Sequence, residues 1–409
     1  MILSRRTFLG TLGAAALAGP NASLANTGSA RNLIILFASG GWDVNYLFDP
    51  KPGVLEMDEG GYEHAFGDGV LWFNADRPSV TEFFAAYGDI SSVLRGVRVP
   101  AISHQGCTTR MLTGGRDPRR ADVGAMVAHH LAGASPMPYL DVSGGAQSGP
   151  YGADLGYVGH EDQLRRLVVD NLSYGDRDRP RHHPDADQEA LIRAFVESRI
   201  PSGDRAALGL NARRMDSFGV GLERSHTVES YAAFFEQAEG REFASQAGTA
   251  AKSLEQGLAR AAYLEVETDF DTHSSNWKQA EEYEVTFDAL LSLMTELETR
   301  SGASGGTLLD ETVVMVCSEM GRTPQLNDGG KGHWPHTSCM LVGGPIRGGT
   351  VGRTDNDLKG IAMDASTGLD NAQGIELAAE NVLAGILDTV GVDPSLELPN
   401  VTPLTAFQR

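Results

Sequence analysis

Three short clusters in the last third of the chain combine carboxylates with imidazoles: Asp271-Thr272-His273, Ser318-Glu319-Met320-Gly321-Arg322-Thr323 and Gly332-His333-Trp334-Pro335-His336. Asp271 and His273 stand two apart, and residues at that spacing in an extended segment point to the same side, so both can reach one ion. Glu319 is a further oxygen donor, and His333 or His336 completes the set. Such a mixture suits zinc, manganese or iron, with calcium and magnesium still open. Arg322 and Arg110 add guanidinium groups, which either grip the oxygens of a phosphate or sulfate or make surface salt bridges.

A fourth stretch, Ser103-His104-Gln105-Gly106-Cys107-Thr108-Thr109-Arg110, packs an imidazole, a thiol and hydroxyls into what reads as a loop entering a helix. Helix N-termini expose unpaired N–H groups, so the arrangement suits a nucleophile or an anion contact, or a plain polar cap.

These residues need a scaffold that brings distant segments to one edge. The run Asn32-Leu33-Ile34-Ile35-Leu36-Phe37-Ala38 is continuously apolar, as in a strand buried on both faces. It ends in Ser39-Gly40-Gly41-Trp42-Asp43, where Asp43 is either a metal ligand beyond the strand or a helix cap. Strands are also expected at 139–142, 263–268, 312–317 and 338–342, with a segment at 97–102. Helices are expected at 79–87, 123–131 and 276–300. Residues 49–78 read as an irregular excursion. Alternation of this kind predicts an α/β fold with a mostly parallel sheet covered by helices, and places Asp271, His273 and Glu319 at the carboxyl ends of strands.

The region 160–262 reads as a helical insertion in one large domain spanning 26–409. His182 and His183 fall in a break rich in Arg, Asp and Pro and read as exposed loop residues. With 33 basic against 54 acidic residues and a formal charge of -21, the chain has no affinity for nucleic acid or anionic membrane written into it. Three cysteines, Cys107, Cys317 and Cys339, are too few and too apolar in setting for a disulfide framework.

At the N-terminus, Ser4-Arg5-Arg6-Thr7-Phe8-Leu9-Gly10 precedes a short apolar run and Ser23-Leu24-Ala25. This predicts a twin-arginine signal over residues 1–25, export by that translocation machinery, and a periplasmic or secreted product. No later stretch has the roughly 20 apolar residues a spanning helix needs, so the product is not expected to be an integral membrane protein.

The twin-arginine start, Gly40-Gly41-Trp42-Asp43, the stretch 104–114, Phe270-Asp271-Thr272-His273-Ser274-Ser275-Asn276, Ser318-Glu319-Met320-Gly321-Arg322-Thr323-Pro324 and His333-Trp334-Pro335 together resemble a bacterial exported family of unknown function, the one numbered fifteen-oh-one. That family resembles in turn the alkaline phosphatase and sulfatase superfamily. The resemblance implies a hydrolase of phosphate or sulfate esters with Asp43, Asp271, His273, Glu319 and His333 as metal ligands. It implies Thr108 or Thr109 as nucleophile, His104 or His336 as acid or base, and Arg110 and Arg322 as holders of a small-molecule or polymer ester. Met320 stands where phosphatases carry a ligating histidine, so one divalent ion is expected in place of two. Cys107 lacks the context for conversion to a formylglycine, and Lys331-Gly332 replaces a more usual Arg-Asp. A non-catalytic binding or assembly protein retaining the fold is the alternative.

Overall fold

The computed structural model describes residues 32–158, 186–199, 218–221, 223–224, 227–228 and 242–409. The export motif and His182 and His183 lie outside the described residues.

Among the described residues the strands are β1 (Asn32–Ala38), β2 (Tyr62–Phe66), β3 (Gly69–Phe73), β4 (Ser91–Arg98), β5 (Tyr139–Asp141), β6 (Leu155–Tyr157), β7 (Ala261–Val266), β8 (Thr312–Cys317), β9 (Gly321–Arg322), β10 (His333–Trp334), β11 (His336–Val342) and β12 (Gly349–Val351). The helices are α1 (Pro78–Tyr87), α2 (His104–Thr113), α3 (Val123–Leu131), α4 (Ala186–Arg199), α5 (Phe243–Glu255), α6 (Lys278–Thr299) and α7 (Ala379–Thr389). Eight strands form one sheet in the order β12-β4-β11-β8-β1-β7-β5-β6. Every neighbouring pair is parallel except those made by β11, which runs against both β4 and β8.

β1 lies in the middle, and all seven of its residues are buried. Its side chains alternate between the two faces of the sheet: Ile34 and Leu36 join a core with Phe83, Phe287 and Leu290, whereas Leu33 and Ile35 join one with Met111, Met126 and Leu383. Helices α1, α5 and α6 therefore cover one face and α2, α3 and α7 the other, the expected mostly parallel α/β architecture.

Two local readings need correction. The strand near residue 97 starts earlier, because Ser91-Ser92-Val93-Leu94-Arg95-Gly96-Val97-Arg98 follows α1 with only one tight turn between. The excursion after residue 49 contains the β2–β3 hairpin, which its Gly and Asp content concealed. Among the described residues no helix is long and apolar enough to cross a membrane.

Candidate metal centre

The reversal of β11 creates the site. Parallel strands β1, β4, β7 and β8 all end at one edge, and β11 begins there, with His336 in register opposite Arg98 at the end of β4. Residues that follow four strands thus meet residues that precede a fifth.

The turn after β1 depends on glycine. Gly40 has a φ of 108°, and a Cβ there would lie 2.6 Å from the Phe270 N and 2.7 Å from the Asp271 N. Only a bare backbone lets the segment carrying Asp271 approach so closely. Trp42, fully buried, then ties this turn to β11 by donating from its indole to Thr337 Oγ1 at 2.9 Å.

Ser103 caps α2 by accepting from the Gly106 N–H, which sets His104 at the first position of the helix. His104 Nδ1 lies 2.6 Å from Glu319 Oε1. Glu319 is nearly fully buried, and both its oxygens also accept from the Gly40 N–H, at 3.1 and 3.2 Å. Ser318 Oγ accepts from the Gly41 N–H and donates to Glu319 Oε2 at 2.9 Å. Every other partner of Glu319 is thus a donor, so the contact with His104 is read as Nδ1–H donating to the carboxylate, which in the neutral ring leaves the lone pair on Nε2. That Nε2 is buried and has no hydrogen-bond partner. Asp271 Oδ2, at 3.5 Å, is beyond good hydrogen-bond range.

His333 repeats the pattern. Its Nδ1 lies 2.7 Å from the Ile102 carbonyl oxygen, which can only accept, so Nδ1 carries a proton and in the neutral ring the lone pair is on Nε2. Nε2 of His333 is 3.6 Å from Asp271 Oδ1 and 3.0 Å from Nε2 of His273, which in turn is 3.1 Å from Asp271 Oδ1. Facing imidazole nitrogens 3.0 Å apart must have either a proton or a cation between them. The donor atoms of His104, Asp271 and His333 all lie within 4.8 Å of one another. The separations of His104 from Asp271 Oδ2 and of His273 and His333 from each other and from Asp271 Oδ1, 3.0 to 3.6 Å, lie near the edge of about 3.3 Å expected between ligand atoms with bonds near 2.0–2.1 Å, and His273 stands at the side of the three-residue group. The residues fit a cation.

Partial burial pushes the Asp271 carboxyl upward, but the hydrogen bond and charge of Arg322, joined by His104 and His273, outweigh it and hold the group below the usual carboxylate range. Arg322 is itself wholly buried. Its guanidinium donates to the carbonyls of Gly40, Gly41 and Lys331 and, at 2.5 Å, to Asp271 Oδ1. These contacts occupy it as a clamp on the loops, not as a grip on an incoming oxyanion.

Asp43 is not among the clustered residues. Its fully buried carboxylate takes Lys331 Nζ at 2.6 Å, Asn276 Nδ2 at 2.8 Å and the Asn45 N–H at 3.2 Å. Lys331 is also fully buried, so the two form a closed ion pair next to the cluster. Asp43 thereby caps the short turn at Val44–Tyr46, the reading the sequence had left open. Gln279 of α6 accepts from the Asp43 N–H and donates to Phe270 O and Thr272 Oγ1. Lys331, Asn276 and Gln279 were missed as site residues. Asn276 ends the motif that begins at Phe270, and that position was the one available signal.

The remaining expected residues stand apart from the cluster. His336 takes the Gly360 N–H on Nδ1 at 3.4 Å; burial lowers its pKa, which a hydrogen bond that the ring donates to the Gly96 backbone partly offsets. Arg110 lies in the last turn of α2, about 9 Å along the axis from His104 at 1.5 Å per residue. Thr109 faces the core, and Thr108 is half-buried on the next turn after His104. Burial pushes the thiol of Cys107 up to about 11, which makes it a poor nucleophile.

Beside the cluster, at the same sheet edge, opens a cavity of about 530 Å³. It is lined by Ser39, Ser143, Gln246, Glu265, Glu267 and Glu282 among others. Its walls are acidic.

Comparison with known proteins adds the following. No curated protein matches the chain in sequence. The crystal structure of Ps i-CgsB in complex with k-i-k-neocarrahexaose superposes with a TM-score of 0.43 at 10% identity, covering 91% of this chain and 75% of that one. The structure of BT4656 in complex with its substrate D-glucosamine-2-N,6-O-disulfate gives a TM-score of 0.33 at 11% identity, covering 93% and 82%. Likeness at this level carries no conclusion about activity. The family of proteins of unknown function DUF1501 matches residues 30–395, and the chain belongs to it.

Proposed function

We propose that this chain is an exported, metal-dependent hydrolase of phosphate or sulfate esters. One observation supports it above all: Nε2 of His104 and Nε2 of His333, both left with lone pairs by partners on their other nitrogens, converge with the Asp271 carboxylate. His104, Asp271, His273 and His333 would hold the ion, and a donor set of three imidazoles and one carboxylate favours zinc or another borderline cation over calcium or magnesium. When bound, such an ion supplies Lewis-acid polarisation of the ester oxygen and acidifies water.

The protein's own contribution is positional. Arg322 fixes Asp271, the Ile102 carbonyl fixes His333, and Glu319 fixes His104. The hydroxyls of Ser318 and Thr272 are buried and already bonded, which argues against either as the attacking group. The test is metal analysis of the purified mature protein, followed by assays on aryl phosphates, phosphodiesters and aryl sulfates. Bound metal, with turnover that His333→Ala abolishes, supports the reading; no metal and no turnover under any metal supplementation refutes it.

The acidic cavity favours a second reading. Four carboxylates, those of Glu265, Glu267, Asp269 and Glu282, line it, while Arg322 and Lys331 are both committed elsewhere. Such a wall repels an anionic ester, as a binding or assembly protein with a structural metal would tolerate. In that case His333→Ala lowers stability and metal content while every ester assay is negative for the wild type as well.

A further inference from the structure

We infer that Glu319 is a positioning residue which selects the metal-binding tautomer of His104, and not a ligand. This rests on the reading of the cluster as a metal centre. Sequence spacing puts Glu319 just past the end of β8, where a ligand carboxylate is expected, but the structure puts it behind the imidazole. Its Oε1 faces Nδ1 of His104 at 2.6 Å, whereas the bare nitrogen, Nε2, is the one on the side of Asp271. The two ring nitrogens point in divergent directions, so a carboxylate bonded to one is turned away from an ion bonded to the other.

Glu319 is held rigidly in that place. The Gly40 N–H bridges both its oxygens, and Ser318 Oγ, oriented by the Gly41 N–H, donates to Oε2. With Gly40, Ser318 and His104 all donating, the acceptor capacity of the carboxylate is well used without an ion. The turn after β1 is therefore wired to the metal centre through one side chain. A carboxylate accepting the proton of a ligating imidazole fixes the ring's orientation and tautomer and raises its basicity, and loss of such a partner typically costs about 10–100-fold in metal affinity.

Glu319→Gln is the informative substitution. An amide has only one acceptor atom, so the three donors around position 319 cannot all be satisfied. If the amide turns its NH₂ toward Nδ1, the ring must move its proton to Nε2, the nitrogen that faces the cluster. The experiment uses full-length mature protein labelled with ¹⁵N-histidine, with the His104 signals assigned by their loss in His104→Gln. Expected for the metal-free wild type is a protonated Nδ1 and a bare Nε2. Expected for Glu319→Gln is a shift of that population toward protonated Nε2, with a native circular dichroism spectrum and zinc affinity lower by about 10–100-fold in chelator competition.

An unchanged His104 tautomer in Glu319→Met, which offers Nδ1 no oxygen acceptor, overturns the inference, as does a zinc-loaded crystal structure with a Glu319 oxygen at bonding distance from the ion. If the variant does not fold, Glu319→Asp, which keeps the carboxylate and shortens its reach, replaces it with the same two readouts. Failure of the wild type to bind zinc refutes the metal reading instead, and the tautomer of the metal-free protein still decides the role of Glu319.

Discussion

Lys331→Met tests how Asp43 is used. In the wild type the ammonium and the carboxylate are both fully buried and 2.6 Å apart, with Asn276 Nδ2 and the Asn45 N–H as the carboxylate's other donors. Methionine fills a similar volume but removes the countercharge seen among the described residues, leaving a buried carboxylate with two neutral donors. Breaking a buried pair from one side costs about 3–5 kcal/mol, whereas an exposed pair is worth about 0–1 kcal/mol. Equilibrium unfolding in urea should therefore show Lys331→Met less stable by about 3–5 kcal/mol, with the midpoint moved and the slope kept. Adding Asp43→Asn removes the stranded charge, so the double variant should recover most of that loss, giving a coupling energy of about 2–3 kcal/mol in the cycle. A loss under about 1 kcal/mol, or no recovery in the double variant, refutes the closed pair. If Asp43→Asn alone then strips metal from the protein, Asp43 is a ligand after all.

Three further outcomes are expected. His333→Ala should bind zinc at least about 100-fold more weakly while the metal-free form changes stability by about 1 kcal/mol or less, because the ring is only part-buried; titration against a chelator and urea unfolding measure the two. Gly40→Ala should lose about 1–3 kcal/mol and weaken zinc binding as well, since a Cβ would press on the backbone of Phe270 and Asp271; the same two measurements apply, and normal affinity would show that the turn does not position the site. Cys107, Cys317 and Cys339 are free and buried, and burial raises each thiol, so none should react with a thiol reagent until the protein unfolds; rapid labelling of Cys107 in native protein would show that the start of α2 opens.

Much of the scaffold is legible in the chain. A run such as Asn32–Ala38 with no polar break can only be a strand covered on both faces, and the edge where Asp271 and Glu319 emerge follows from it. The direction of β11 is not legible, because His-Thr-Ser-Cys-Met-Leu-Val reads the same for either polarity. Its reversal explains why His333 precedes its strand while Asp271 follows one. The ion pair of Asp43 is illegible for a different reason. Spacing locates a residue at a strand end, but the side chain's direction depends on Gly40 and Gly41, both at positive φ, and on a partner far along the chain. Lys331 sits between glycines, and such a neighbourhood reads as a solvated loop. Its burial comes from packing against Asp43 and the Tyr46 ring, which only the folded chain brings near. His104 was visible as a reactive group, yet its place among the prospective ligands depends on α2 starting where Ser103 caps it.

The single reversed strand also divides the molecule into a side that tolerates change in length and one that does not. Connections after β1, β4, β7 and β8, and the one entering β11, all run over the edge that carries the imidazoles. The turn leaving β11 emerges at the other edge, where Gly343 approaches Thr312 at the start of β8. The exposed bend at Ser304-Gly305, just before β8, lies on that remote side with open space around it, although Gly305 itself, at a φ of 97°, must stay glycine. A tag, a fluorophore or a fused domain belongs there, while a residue added between Thr323 and Gly332 enters the loop that buries Lys331 against Asp43 and packs Gly330 on the backbone of His273.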